Sequence, residues 1–535
     1  MSDATPASAS SASGPAADRE AEAARAELES RAARAAQRHV VVIGGGISGL
    51  VAARECAKVG MQVTLLEASD AVGGAIRSAD LDGVVVDAGA ESYATRGGHV
   101  RALIAELGLD DRVVAPAAGG AWLAGIPGVG AAPLPVGGIL GIPSNPFQED
   151  VRRIIGWSGV WRAYVDRIRP PLTIGHDRSL GNLVRTRMGA RVRDRLVAPV
   201  TTGVYSAAPE DVDVDVAAPG LNAALTSVGS LSGAVQVLRD QSASAAAKAT
   251  TPGAAVEGLV GGMVSLVDAL VADIETLGGI VRTGTTVTEL VRSDGAWSVV
   301  IDEPGIDKPA STAAPEPDDV DAAPAVQIDA DAPVLTADAV VVATSEAVAR
   351  ILLADAVPAL ATAAPAEAPE IEVVTLLLAA GALDGAPRGT GVLTVPGSHT
   401  AKALTHSSAK WTWVREAAGD RHVVRVSFGA QGEPAATADL DDASAAELAL
   451  REAASLLGAP LGADDLLAAH RARFVQAQPA SIIGSRERRD AARAAVRAVP
   501  GLAAVGAWLA GTGLAQVVPD AHDEADRLRR GLLSD

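Results

Sequence analysis

Apolar and polar positions change period sharply near the start of the chain. His39-Val-Val-Val-Ile43 is a continuous β-branched run, as in a strand buried on both faces of a parallel sheet. Gly44-Gly45-Gly46-Ile47-Ser48-Gly49 follows at once, and Leu50, Ala53 and Ala57 then recur at helical spacing. Met61 to Leu66 form a second strand-like run that stops at Glu67. The stretch 38–90 therefore predicts a βαβ unit. Further on, 100–230 reads as mostly helical with polar and basic faces, and 255–300 as helix and strand. The stretch 371–430 reads as β-rich, and 486–535 as helical with a glycine-rich turn. Residues 303–333, rich in Pro, Asp and Ala, separate two strand-like runs, Trp297 to Ile301 and Ala339 to Ala343, and predict an acidic hairpin insertion.

Composition narrows this picture. At 535 residues the chain exceeds the size of a single hydrophobic core, so two or more packed units are expected. Apolar residues are 48% and aromatic residues 2%, so the core must be built from Ala, Val, Leu and Ile. A formal net charge of −20 excludes nucleic acid as the main partner, because phosphate neutralisation needs clustered Lys and Arg. Any anionic small molecule must meet local basic residues. The one cysteine, Cys56, excludes an internal disulfide and a cysteine-rich zinc site, and its helical setting reads as small core packing. Residues 1–37 read as a disordered or helical tail without a secretory signal. No apolar run reaches membrane-spanning length, which implies a cytoplasmic protein at most peripheral to a membrane. No metal site is expected.

The chemistry starts at the glycines. In GxGxxG between a strand and a helix, Gly44 permits the tight turn, Gly46 lets the backbone approach a diphosphate and Gly49 lets helix and strand pack closely. Ile47 and Ser48 open the helix, whose free N–H groups and positive dipole end suit phosphate. Glu67, followed by Ala68, stands where a carboxylate accepts from ribose hydroxyls. A second pair, Gly73-Gly74, carries Arg77 three residues on, which suits the extended diphosphate and flavin of FAD.

These residues, with Asp87-Ala88-Gly89-Ala90, resemble the N-terminal signature of the amine oxidase-like flavoproteins, among them the porphyrinogen oxidases. Ser179 to Gly189, Leu196 to Tyr205 with its Gly-Val-Tyr, Leu404 to Trp411 and Ala503 to Val518 resemble later segments of the porphyrinogen oxidases. The resemblance implies a doubly wound, Rossmann-like α/β FAD-binding domain with an interleaved α+β substrate domain and a helical domain. Its pieces would be 38–98, 241–345 and 481–535 for FAD, 99–240 for the helical and substrate part, and 346–480 for the β-rich part. It implies cofactor contacts at Gly44, Gly46, Ile47, Ser48, Gly49, Glu67, Ala68, Gly73, Gly74, Arg77, Gly89, Ala90, Val287, Trp508, Gly513 and Leu514. Two departures stand out: Pro479-Ala480-Ser481 and Gly484-Ser485 replace Pro-Gln-Tyr and Gly-His of many relatives, and Gly119-Gly120-Ala121 lacks a basic residue that some relatives carry.

The function implied is dehydrogenation of a porphyrinogen with dioxygen as acceptor. Coproporphyrinogen III is preferred over protoporphyrinogen IX because the chain has no membrane anchor. The cofactor carries the hard step, so no catalytic triad is required. Lys410 is the candidate catalytic residue, near the flavin; Arg96, Tyr205 and Trp411 are the candidate substrate contacts, with Trp413 a further aromatic. Two rivals remain. A flavin amine oxidase would need an aromatic pair flanking the flavin, and a non-catalytic FAD protein would hold its cofactor only for stability.

Overall fold

The computed structural model describes residues 29–168, 178–245, 255–302, 333–362, 367–475 and 481–534, together with 22, 25 and 27. The insertion read at 303–333 lies outside the described residues except for Pro333, as does the tail before residue 22.

The opening β-branched run forms strand His39–Ile43, the third of five parallel strands. Its neighbours are Gln62–Leu66 on one side and Ala339–Val342 on the other, with Ile280–Arg282 and Leu502–Ala504 at the edges. Successive side chains in a strand face opposite ways. Accordingly Val40 and Val42 enter one core, with helices Ile47–Ala57, Val264–Thr276 and Leu514–Leu533. Val41 and Ile43 enter another, with Trp297, Leu352 and Val496. Both faces are covered, which is why these strands read as unbroken apolar runs rather than alternating ones.

A seven-stranded sheet forms the second unit. Its order is Leu466–Val475, Glu370–Leu378, His422–Phe428, Ala403–His406, Gly391–Thr394, Ala121–Ile126, Gly130–Pro133. The last two strands correct the helical reading of 100–230. They pair with each other and alongside Gly391–Thr394, contacts no local pattern announces. Helix Asp442–Leu457 covers one face through Ala445, Ala449, Ala453 and Leu456, packed on Leu376, Val424 and Phe428. A third, helical core gathers Glu149–Tyr164, Leu180–Met188, Leu221–Val228 and the start of Leu231–Ala245.

Three local expectations change in detail. Pro199 sits inside the helical run 190–205, directly after the π-helical turn Arg193–Val197, whose wider winding accommodates a residue that has no N–H to donate. Lys410 is not a strand residue, because the chain leaves strand Ala403–His406 for the helical turn Ser407–Lys410. Strand Ala296–Asp302 pairs antiparallel with Val334–Ala337, whereas Ala339–Val342 belongs to the five-stranded sheet. Cys56 is fully buried as core packing, and burial pushes its thiol up to about 12. No single helix among the described residues is long and apolar enough to cross a membrane.

Candidate functional site

The glycine loop is built by close approach. Gly44 has φ +107°, and a Cβ on Gly49 would lie 1.9 Å from the Gly44 carbonyl oxygen, so helix and strand touch backbone to backbone. Gly46 is the N-cap of helix Ile47–Ala57, and no side chain caps it. A Cβ there would meet nothing within 4 Å, so the mouth of the helix is open. Its first-turn N–H groups face that opening with no competing side chain, as a diphosphate requires.

Glu67 closes the next strand. Its Oε2 accepts from Gly45 N at 2.7 Å, and its Oε1 accepts from Ser69 N at 2.9 Å and Ser69 Oγ at 2.5 Å. A carboxylate offers about four lone-pair positions, so capacity remains for a ribose hydroxyl. The wall beside it continues into strand Thr286–Ser293, since Thr285 N donates to the Glu67 carbonyl at 2.9 Å. The Val287 side chain packs into the core with Ile43 and Leu66. Ala68 is exposed next to Glu67.

The second glycine pair stacks on the first. Gly73 bridges Gly46 in parallel, its N–H donates to the Gly45 carbonyl at 2.8 Å, and a Cβ on Gly74 would lie 3.3 Å from Gly46 Cα. Arg77 is exposed; its Nε donates to the Gly74 carbonyl at 3.0 Å, and it forms no ion pair among the described residues. That leaves the guanidinium fork available to phosphate.

At the C-terminal end, Gly506 and Gly513 flank the short helix Ala507–Ala510, and Gly513 caps helix Leu514–Leu533 without a side-chain bond. A Cβ on Gly513 would meet nothing within 4 Å. Helix Leu514–Leu533 shares a core with the glycine-loop helix, so a second open helix mouth belongs to the same unit. Trp508 is buried, and its indole N–H has no partner among the described residues. Open cradles at Gly46 and Gly513, a spare guanidinium and an orphaned indole donor fit a dinucleotide carrying a second polar ring system.

Beyond the second loop lies a charged cluster that the motif reading missed. Gly89 is tied down because a Cβ there would lie 2.0 Å from the Ala75 carbonyl, to which Ala90 N donates at 2.9 Å. Glu91 follows. It accepts from Lys410 Nζ at 2.6 Å, Arg425 Nη1 at 2.9 Å and Ser407 Oγ at 3.2 Å. Arg425 also donates to the carbonyls of Ala88 (3.1 Å) and Gly89, clamping the seven-stranded sheet onto the loop. Burial pushes the Glu91 carboxyl up, but Lys410 and Arg425 outweigh it and hold it down at about 2. Asp87, four residues earlier, accepts from Met263 N at 2.8 Å, and burial pushes it up to about 7. The signal for Arg425 was present: it is the one charged residue inside the apolar strand His-Val-Val-Arg-Val-Ser-Phe.

The candidate substrate residues separate. Tyr205 is half-buried and lines a cavity of about 290 Å³ with Leu196, Val200, Val204 and Arg239. Burial pushes its phenol up, and the positive charge of Arg96 offsets only part of that rise. Trp411 must be corrected. It is 1% exposed in a core with Leu81, Val84, Val86 and Val414, so it packs rather than walls a pocket. Trp413 packs against the same core. Lys410 lies 5.0 Å above the Trp411 ring and is held by Glu91, so it is a paired cation rather than a free base.

Residues 47–528 match the model of the flavin containing amine oxidoreductases, and residues 11–82 match that of the pyridine nucleotide-disulphide oxidoreductases. The coproporphyrinogen III oxidase of Propionibacterium freudenreichii subsp. freudenreichii is 31% identical over 183 residues, 34% of each chain. That of Bacillus subtilis is 34% identical over 176 residues, 32% of this chain and 37% of the other. These two matches thus span only about a third of those relatives' length. That of Mycobacterium leprae is 28% identical over 411 residues, 76% of this chain and 80% of the other. Among solved structures, a provisionally named protoporphyrinogen oxidase from Exiguobacterium sp. 255-15 superposes with a TM-score of 0.74 at 22% identity. The superposition covers 92% of this chain and 98% of that one and speaks for the fold.

Proposed function

This chain belongs to the flavin-containing amine oxidoreductase family, and from that premise we propose that it is an FAD-dependent oxidase converting a porphyrinogen to a porphyrin, with coproporphyrinogen III as substrate and dioxygen as acceptor. The observation that carries the reading is the 411-residue match to the Mycobacterium leprae coproporphyrinogen III oxidase. It covers far more of both chains than a shared cofactor unit would require.

Bound FAD supplies the two-electron acceptor. The chain's own residues hold and orient. The Gly44–Gly49 loop and Arg77 would take the diphosphate, Glu67 the ribose, and the open cap at Gly513 with Leu514 the far polar end. Glu91, Lys410 and Arg425 act as positioning residues, fixing the substrate sheet against the loop Asp87–Ala90. The cavity beside Tyr205 carries Arg239, with Arg96 nearby, and neither cation has an ion-pair partner among the described residues. Such a rim attracts carboxylates and repels ammonium groups, which favours a porphyrinogen over an amine. The aromatic pair an amine oxidase would need is also missing at the C-terminal turn, where Trp508 is buried.

The same reading places the protein in the cytoplasm with peripheral membrane contact. The surface for that contact is the exposed ring cluster Phe147, Trp157, Trp161 and Tyr164, with Arg152 4.8 Å over the Trp157 ring. The function is tested by purifying the protein, recording a flavin spectrum and following porphyrin fluorescence with each porphyrinogen in turn. Anaerobic bleaching of the flavin by coproporphyrinogen III is expected. A colourless protein, or one reduced faster by amines, defeats the reading.

A further inference from the structure

The cavity beside Tyr205 has a strained wall. Strands Gly138–Ile139 and Ile142–Pro143 pair antiparallel across a two-residue loop, Leu140-Gly141, whose φ angles are +51° and +80°. Such loops usually carry Asn or Asp before the Gly, because a bulky side chain is strained at positive φ. Leu140 bears that strain and lines the cavity. A Cβ on Gly141 would lie 2.1 Å from the Leu196 carbonyl oxygen, so the loop is pressed against the turn Arg193–Val197, which supplies Leu196 to the same cavity. Backbone strain held in a cavity wall points to use.

The cavity also lies on the cofactor side of the seven-stranded sheet. Gly391, Thr405 and Arg425 are successive partners across three strands, so these positions share a face. Leu393, two residues beyond Gly391, shares it too. Arg425 uses that face to hold the Ala88 and Gly89 carbonyls. A Cβ on Gly203 would lie 2.6 Å from Leu393 Cδ2, so helix Ala198–Tyr205 packs on the same face and brings Val200, Val204 and Tyr205 to the cavity.

Among the lining side chains only Arg239 and Tyr205 are polar. Arg239 Nη1 donates to the Gly137 carbonyl at 3.1 Å. A guanidinium has five donors, so four are left, and Arg239 forms no ion pair among the described residues. The Asp150 carboxylate at the cavity wall is occupied by the N–H groups of Val136 (3.3 Å) and Val151 (2.8 Å) instead. Gln148 adds a donor: its Nε2 and Arg239 Nη1 lie 3.9 and 3.1 Å from the point that a Gly137 Cβ would occupy.

We propose that this cavity seats one pyrrole arm of the substrate, with Arg239 and Tyr205 taking its carboxylate. The proposal rests on the porphyrinogen reading and deepens it by naming the residues that meet an acid group. At about 290 Å³ the cavity stands at the lower end of small-molecule pockets, about 300–1,000 Å³, so it takes part of a macrocycle and not the whole. Val136 and Val204, 43% and 64% exposed, mark the open side through which the rest extends. The planar fork of a guanidinium matches a carboxylate in two parallel bonds. In the competing account Arg239 is a clip for the Gly137 loop, which uses one N–H of five and gives the Tyr205 hydroxyl no role.

The test titrates coproporphyrin III and its tetramethyl ester into FAD-loaded holoenzyme, followed by porphyrin fluorescence. Arg239→Met is expected to weaken binding of the tetra-acid about 10- to 100-fold and to leave the ester unchanged. Tyr205→Phe removes only a hydroxyl and should weaken the tetra-acid about 10-fold. Arg239→Lys should recover part of the loss, since an ammonium keeps the charge without the fork. Equal affinity of wild type and Arg239→Met for the tetra-acid overturns the proposal. An equal loss for acid and ester overturns it as well, because that is what a loop clip would give. If Arg239→Met oxidises coproporphyrinogen III with the wild-type KM, the subsite is wrong and the function stands. A wild-type enzyme that binds the tetra-acid through Arg239 yet oxidises no porphyrinogen would refute the function and leave the subsite standing.

Discussion

The glycine loop and the charged cluster around Glu91 are assembled in opposite ways. At the nucleotide end, contacts are local: Gly45 and Glu67 stand 22 positions apart, and the second glycine pair follows within a few residues. In the charged cluster, Glu91 meets Lys410 and Arg425 across 319 and 334 positions. The nucleotide end works through backbone, with glycines removing Cβ atoms and a helix mouth left open. The charged cluster works through side chains, with one mostly covered acid holding two bases. A binding surface made of backbone leaves a spacing in the sequence. One made of side chains from distant strands leaves only isolated charged residues in apolar runs.

The contrast can be broken at either end, and the largest effect is expected at the backbone end. Gly49→Val places a side chain 1.9 Å from a carbonyl oxygen that cannot retreat. It should eliminate flavin-loaded protein, read as loss of visible absorbance after gel filtration, because overpacking against backbone exceeds the usual range of about 1–3 kcal/mol. Flavin retention by this variant would remove the backbone half of the comparison.

Next comes the charge end. Glu91→Ala leaves Lys410 and Arg425 with their common carboxylate deleted, so a loss of about 3–5 kcal/mol in urea denaturation is expected. A loss under 1 kcal/mol would mean that the cluster is solvated and does not clamp the sheet.

A pH series sharpens the comparison further, since Asp87 and Glu91 are shifted in opposite directions. Asp87 keeps its proton up to about pH 7 in the folded chain, against an ordinary value of 3.8. The folded state therefore binds more protons in that window, and this group's contribution to stability falls as pH rises from about 4 to 7. Glu91 has the other sign: its contribution is complete above about pH 4.5 and is lost as pH falls towards 2. Asp87→Asn should flatten the first slope and Glu91→Gln the second, both read from melting temperature against pH. Identical profiles for the two variants would contradict the assignment.

The smallest effect is predicted for Arg77→Ala. The side chain is exposed and makes one bond to a neighbouring carbonyl, so folding should be unchanged. FAD affinity should fall about 3- to 10-fold, more at low salt than at high. No change in equilibrium dialysis would assign Arg77 to the surface alone.

Chain order alone was enough to determine the parallel strand, the glycine turn, the acid at the end of the second strand and the buried Cys56. Each depends on neighbours within one supersecondary unit, where period and spacing translate directly into geometry. Tertiary structure decided the rest. Ala121–Ile126 and Gly130–Pro133 became strands because Gly391–Thr394 offered an edge to pair with, and Pro199 stays helical behind the π turn Arg193–Val197. Trp411 went to the core and Lys410 to Glu91. The physical reason is common to all of them. The environment of a side chain, and hence its charge and its role, is set by which distant segments pack around it, and that information is not carried by the residues beside it in the chain.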